Sequence, residues 1–322
     1  MLDGYGREIN YLRISVTQNC NLNCIYCSPA EPGVHNLPPS SCREYLTPNE
    51  IGFITGTMAG LGLKKVRITG GEPLLRPDLT EIIAKIAEIK SISEIAMTTN
   101  GLHLAEMAEP LKEAGLKRVN ISIDSLNSDK FSEITGGGNL KRVLNGLEAA
   151  IKTGLSPVKI NVVLIKGVND GEIDDFIGLT KEYPIDIRFI ELMPLGSFST
   201  EYFNRIIYSA EIIGVRPRLQ KISDNGKQVA EYYQIFGYKG RIGFISPMSH
   251  KFCGTCNRVR ITCDGKLKLC LGNNNEINIL PVLRNEPAKL SGFLQKTILK
   301  KPFEHHLDCG FVSNRTMAAI GG

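Results

Sequence analysis

Cys20, Cys24 and Cys27 stand in the run Cys20-Asn21-Leu22-Asn23-Cys24-Ile25-Tyr26-Cys27, a C-x3-C-x2-C spacing with an aromatic residue before the last thiol. Three thiolates are one fewer than a [4Fe–4S] cube takes from a protein that fully ligates it, so one iron would stay open to bind and activate another molecule. A structural zinc site is closed by four ligands, and His35 or Cys42 could supply the fourth for a zinc knuckle. Downstream, Gly70-Gly71-Glu72-Pro73 would let a backbone approach a ligand closely and offer carbonyls to an ammonium group. Taken alone it is also an ordinary strand-to-helix turn.

A second set, Cys253-Gly254-Thr255-Cys256 followed by Cys270, again gives three thiols, at C-x2-C-x13-C. Asn257-Arg258-Val259-Arg260 follows at once, and a strand there would point both guanidiniums to one face. Three thiolates beside two guanidiniums suit an open iron next to a site for phosphates or carboxylates. A zinc ribbon with Cys263 as fourth ligand is the competing reading. Otherwise Cys263 reads as a buried small side chain, Cys42 and Cys309 as structural, and His305-His306 as a surface feature.

Placing these groups requires a scaffold that brings distant loops together. Strand-like runs recur at residues 11–16, 66–69, 94–98, 118–123, 159–164 and 186–192, with amphipathic stretches such as 79–89 and 140–152 between them. Thr47-Pro48-Asn49-Glu50 has capping-box spacing with proline at the first helical position. Six βα units in series imply a parallel sheet covered by helices, and a full or partial barrel of this kind carries its chemistry at the C-terminal strand ends. The cysteine loop, Gly70-Gly71-Glu72-Pro73 and Thr98-Thr99-Asn100-Gly101 all follow strands. After about Gly196 the alternation stops and a smaller domain is expected, giving a division into 1–215 and 216–322.

The 322-residue chain has a net charge of +5, which suits a cleft for an anionic small molecule and does not resemble a nucleic-acid-binding signature. A hydrophobic content of 42% is ample for a core. No apolar stretch approaches bilayer length, and residues 1–10 lack a signal-peptide core. No membrane association is therefore expected, and the expected compartment is the cytoplasm. There, nine cysteines at motif spacings read as metal or redox ligands rather than disulfides.

The first trio together with Gly70-Gly71-Glu72-Pro73 resembles the radical S-adenosylmethionine superfamily. In that superfamily the open iron is chelated by the amino and carboxylate groups of S-adenosylmethionine. Reductive cleavage of the sulfonium then gives a 5′-deoxyadenosyl radical that abstracts a hydrogen atom. From about residue 4 to its end the chain is similar to one family within it, the GTP 3′,8-cyclases (cyclic pyranopterin monophosphate synthase protein A family), lyases that begin molybdenum cofactor biosynthesis. The supporting runs are Leu12-Arg13-Ile14-Ser15-Val16-Thr17, Val66-Arg67-Ile68-Thr69 before the glycines, Asn120-Ile121-Ser122-Ile123-Asp124 and Val158-Lys159-Ile160-Asn161-Val162-Val163. Arg188-Phe189-Ile190-Glu191-Leu192-Met193, the second trio with its arginines, and the terminal Ile320-Gly321-Gly322 complete them. Gln18, Asn19, Ser28 and Cys263 depart from the family's usual residues.

The resemblance implies an α/β fold, an incomplete (β/α)6 TIM-like barrel with a smaller C-terminal domain carrying a second Fe–S cluster. It implies two [4Fe–4S] clusters and S-adenosylmethionine as cofactors, with Cys20, Cys24 and Cys27 holding one cluster and Cys253, Cys256 and Cys270 the other. Tyr26, Gly71, Ser122 and Met193 would line the S-adenosylmethionine pocket. Arg13, Arg67, Thr98, Lys159, Arg258 and Arg260 would contact GTP, with Lys65 and Arg188 as neighbours. Gly321 and Gly322 would reach into the active site and, with Arg258 and Arg260, serve catalysis. The implied partners are GTP, an external flavodoxin-like electron donor and a downstream cyclic pyranopterin monophosphate synthase; no nucleic acid is expected, and a homodimer is one option. The alternatives are a radical S-adenosylmethionine enzyme that modifies a peptide with the help of an auxiliary cluster, and a non-catalytic Fe–S or zinc module.

Overall fold

A computed structural model describes residues 1–27, 45–195, 202–223, 229–308 and 311–321. Ser28, His35, Cys42, Cys309, Gly322 and the expected break near Gly196 lie outside the described residues.

The six expected strands form as β1 (Tyr11–Ser15), β2 (Lys65–Thr69), β3 (Glu94–Thr99), β4 (Arg118–Ser122), β5 (Lys159–Leu164) and β6 (Asp186–Glu191). They pair in parallel in sequence order. The strands that follow are β7 (Gln220–Lys221), β8 (Glu231–Gln234), β9 (Arg241–Ile245), β10 (Arg258–Ile261), β11 (Lys266–Lys268) and β12 (Glu276–Asn278). All twelve belong to one open sheet, ordered β12-β11-β10-β1-β2-β3-β4-β5-β6-β9-β8-β7. Two C-terminal strands thus extend the parallel set at opposite edges, β10 beside β1 and β9 beside β6. The sheet is a partial barrel that does not close.

Strand alternation explains both faces. Leu12 and Ile14, Val66 and Ile68, Val119 and Ile121, Ile160 and Val162, and Ile187 and Phe189 are buried in one apolar core. The residues between them are polar and face the barrel interior, as a period of two demands. Helices cover the apolar face. Helix Leu140–Lys152 buries Leu140, Val143, Leu147 and Ala150, and the Asn139 side chain caps its start. The capping box at helix Pro48–Gly60 forms as expected: Thr47 Oγ1 accepts from the Glu50 amide at 3.2 Å and Glu50 Oε2 from the Thr47 amide at 2.9 Å.

Candidate active site

The interior residues enclose a cavity of about 360 Å³ at the C-terminal ends of the parallel strands. Cys20, Cys24 and Cys27 all line it, beside Gly70 and Gly71. The glycine turn lies directly against the cysteine loop. The Gly71 and Glu72 amides donate to the Thr17 and Asn19 carbonyls, both at 2.8 Å. A Cβ on Gly71 would come within 2.3 Å of the Asn19 oxygen. The close approach expected toward a ligand is therefore also an approach to the backbone that carries the thiols. Glu72 is buried beneath and accepts from Thr99 Oγ1 and the Asn100 amide, each at 2.7 Å. It ties the second turn to the third, while burial raises its pKa.

Each thiolate of a [4Fe–4S] cube binds its own iron, so its ligands need not converge on one point. Three soft thiols on one wall of one cavity fit such a cluster. Among the described residues no three His, Cys, Asp or Glu side chains are placed to hold a single metal ion. Tyr26, between two of the thiols, donates its hydroxyl to Asp124 Oδ2 at 2.6 Å, and Asp124 Oδ1 accepts from the Val163 amide at 2.8 Å. Burial pushes the Asp124 carboxyl up to about 6.

Below the thiols lies a layer of cations. Arg260, Arg13 and Arg67 are side by side across β10, β1 and β2. Arg188 joins from β6 and Arg258 from one pleat lower, and all five line the cavity. Among the described residues Arg67, Arg188, Arg258 and Arg260 have no carboxylate partner, and the Nε atoms of Arg67, Arg188 and Arg258 are buried without a hydrogen bond. Burial and then the neighbouring guanidiniums depress Arg188 and Arg260 to about 10 and Arg13 well below its usual value. Two residues toward the strand N-termini, at Lys159, Asp186 and Arg241, and level with Arg67 at Arg118, the picture inverts. Arg118 pairs with Glu94 at 2.5 Å, Lys159 with Asp186 at 2.6 Å, and Arg241 with the same carboxylate at 2.8 Å. The barrel floor is neutralised internally, and the layer above it is left positive.

The second trio sits at the entrance to β10. Cys253, Cys256 and Cys270 are half-buried and close enough for Cys256 and Cys270 to raise the Cys253 pKa electrostatically, after burial, its largest cause. Cys256 is held near 7: burial raises it, and Arg258 and Lys301 outweigh that. This set likewise fits a cluster with one open iron. Phe252 and Leu271, each next to one of these thiols in sequence, and Arg258, two residues after Cys256, line the cavity, while the thiols themselves, at the N-terminal end of β10, are not among its lining residues.

The chain end completes the wall. Arg315 bridges Asp264 and Glu276, each at 2.8 Å, and delivers helix Met317–Ile320 to the cavity. Arg260 Nη1 donates to the Gly321 carbonyl. Gly321 has φ +81°, and a Cβ there would lie 2.3 Å from Thr69 Oγ1.

Of the expected site residues, Tyr26, Gly71, Ser122, Met193, Arg13, Arg67, Thr98, Arg258 and Arg260 all line the cavity, as does Arg188. Lys159 is on the floor, bound to Asp186 and, at 2.8 Å, to the Tyr232 hydroxyl, and is not among the lining residues. Lys65 is exposed at the start of β2. Cys263 is buried. His305 is a correction: it is buried, not a surface group, because residues 301–307 fold beneath the second trio, where its ring meets the Pro247 carbonyl at 3.1 Å. Sequence reasoning singled out neither Asp124 and Asn161 as lining residues nor Arg315 as the support of the tail. Asp124 and Asn161 lie within quoted strand runs on the interior parity, a signal that could have found them; Arg315 had none.

Residues 14–180 match the Radical SAM superfamily and residues 185–307 match Molybdenum Cofactor Synthesis C. The chain is 52% identical to a GTP 3′,8-cyclase of Alkaliphilus oremlandii over 324 aligned positions, covering 100% of both chains. It is 46% identical to a GTP 3′,8-cyclase of Peptoclostridium acidaminophilum, covering 100% of this chain and 98% of the other. Streptococcus suis SuiB bound to S-adenosylmethionine shares the fold at 16% identity, with a TM-score of 0.59 over 93% of this chain and 71% of that one. No described helix is long and apolar enough to cross a membrane.

Proposed function

The chain belongs to the GTP 3′,8-cyclase family of radical S-adenosylmethionine proteins, and from that premise we propose how its residues convert GTP to (8S)-3′,8-cyclo-7,8-dihydroguanosine 5′-triphosphate. The observation that carries the reading is the contrast between the two cationic layers. Buried guanidiniums with no carboxylate, beside and above cations that are paired, call for a multiply charged anion. A triphosphate supplies it. Whole-chain identity of 52% to a cyclase favours this reading over peptide modification.

Cys20, Cys24 and Cys27 hold one [4Fe–4S] cluster and Cys253, Cys256 and Cys270 the other. When bound, these clusters and S-adenosylmethionine supply a 5′-deoxyadenosyl radical able to take the ribose C3′ hydrogen, and an open iron for the guanine. The chain's part is positioning. Tyr26, Gly71, Ser122 and Met193 line the end nearer the first trio, while Arg13, Arg67, Arg188, Arg258 and Arg260 fix the phosphates. Attack of C3′ on C8 needs the two atoms held close, and several charge-assisted bonds to one nucleotide achieve that. Gly321 accepts from Arg260, Gly322 is assigned a catalytic part with it, and Thr98 adds a hydroxyl to the lining. Lys159 would reach the phosphates only by leaving Asp186.

The same reading takes electrons from an external flavodoxin-like donor and passes the product to a cyclic pyranopterin monophosphate synthase. It places the protein in the cytoplasm, admits a homodimer, and divides the chain at 215/216 into barrel and cluster-bearing parts. Reduced, iron-reconstituted protein given S-adenosylmethionine and GTP forms the cyclised triphosphate together with 5′-deoxyadenosine. Formation of 5′-deoxyadenosine with GTP left intact would overturn the assignment.

A further inference from the structure

The second trio is held from behind by a side chain of the N-terminal segment. Arg7 is buried, with 8% of its surface exposed. Its Nη1 donates to the Cys253 carbonyl at 2.7 Å and the Phe303 carbonyl at 2.6 Å, and its Nη2 to the Pro302 carbonyl at 2.6 Å. Nε donates to Asp3 Oδ2 at 2.6 Å, and Asp3 Oδ1 is fixed by the Tyr5 and Arg7 amides, both at 2.9 Å. The rings of Tyr5 and Phe303 lie 5.5 and 5.9 Å from the guanidinium carbon. One planar cation thus joins three segments distant in sequence, and one of its bonds ends on a cysteine of the trio.

The segment it grips braces the other thiols as well. Lys301, also buried, donates to the carbonyl of Leu269, next to Cys270, at 2.5 Å. The His305 amide points to the Cys253 sulfur. The short turn Cys253–Thr255 has no side-chain cap of its own, so its orientation comes from these outside contacts. A lysine at position 7 would keep the charge but could not reproduce a planar fork reaching Asp3 and three carbonyls.

We propose that Arg7 is a positioning residue for the second cluster, setting the Cys253 loop so that its thiol meets an iron together with Cys256 and Cys270. Residues that orient metal ligands in this way set how tightly a centre is kept. The proposal rests on the reading that the second trio holds a cluster, and the experiment separates the two.

The full-length chain carrying Cys20→Ala, Cys24→Ala and Cys27→Ala is reconstituted anaerobically, so that all bound iron belongs to the second trio. About four irons per chain are expected; no iron overturns the reading of that trio, and the proposal with it. Arg7→Lys in that background releases its iron to a chelator roughly tenfold faster or more. In the complementary background, Cys253→Ala with Cys256→Ala and Cys270→Ala, Arg7→Lys leaves release from the first trio unchanged. Unchanged release from the second trio, or equal acceleration of both, overturns the proposal. Should Arg7→Lys fail to fold, Asp3→Asn, which removes only the carboxylate orienting the fork, is scored by the same two release rates.

Discussion

Arg260 donates from Nη1 to the main-chain carbonyl of Gly321, tying a strand that begins at the second cysteine trio to the last described residue of the chain. The same short helix that ends at Gly321 lies on the first trio, where the Ala318 amide points to the Cys27 sulfur. One terminal segment therefore touches the first trio and one cation on the strand that follows the second.

That contact depends on residue 321 having no side chain. Its φ of +81° costs an L-residue about 1–2 kcal/mol, and a Cβ would stand 2.3 Å from Thr69 Oγ1 on the buried end of β2. Gly321→Ala is expected to push the tail out and release Arg260. GTP cyclisation falls at least tenfold by roughly the loss of one charge-assisted bond, while iron content and reductive cleavage of S-adenosylmethionine stay near wild type. Product formation and 5′-deoxyadenosine, quantified together, check this. Parallel loss of both would place the tail's role at the first cluster instead.

Removing a cation from the positive layer should act on folding and binding in opposite directions. Arg188 gives one bond to Asn161 at 2.5 Å, leaves Nε unsatisfied, and fits because Gly243, its register partner on β9, carries no side chain. Arg188→Met removes a buried charge repelled by Arg67, so Tm rises. The KM for GTP rises about tenfold or more, since a hydrogen bond to a charged group contributes about 1.5–3 kcal/mol. Thermal unfolding and steady-state kinetics on one preparation test both arms; a lower Tm with unchanged KM would show that the layer does not store unpaired charge for the substrate.

Much of this was legible in the sequence because its signals are local. The period of two in β1 to β6 separates an apolar face from a polar one, and both cysteine trios carry their spacing within a few residues. The features that local signals do not carry are long-range. Asp186, 27 residues beyond Lys159, is its register neighbour and pairs with it on the barrel floor. The flanking of β1 by β10 joins residues nearly 250 apart. Arg7 and Arg315 are single cations in unremarkable runs, and only the folded chain reveals their partners.

The Lys159–Asp186 pair gives a pH-dependent stability of definite sign. Burial, only partly offset by Asp186, lowers Lys159 from 10.5 to about 8. Between about 8 and 10.5 the unfolded chain binds the proton and the folded chain does not, so stability rises with pH through that window. Below it, both states are charged and the burial penalty is fully present. Lys159→Met should abolish the rise, with an upper bound of about 3 kcal/mol, and still fold because Arg241 keeps Asp186 paired at 2.8 Å. Urea unfolding of wild type and variant at pH 7.5 and 10 measures it; identical pH dependence in both would locate the titration elsewhere.

Gly71 tests whether the glycine turn serves the thiols as much as any ligand. Its amide donates to Thr17, and the Glu72 amide donates to Asn19, the residue before Cys20. A methyl group on residue 71 would meet the Asn19 oxygen at 2.3 Å, the Asn19 carbon at 2.6 Å and the Gln18 oxygen at 2.7 Å, all backbone atoms that no rotamer change can move aside. Gly71→Ala must therefore shift the loop carrying Cys20 away from β2, while the second trio, at the N-terminal end of β10, is untouched. Iron after anaerobic reconstitution should fall from about eight to about four per chain, and reductive cleavage of S-adenosylmethionine should be lost, with the fold retained by circular dichroism. If eight irons remain and only the affinity for S-adenosylmethionine drops, the glycine acts on the bound molecule and not on the cysteine loop.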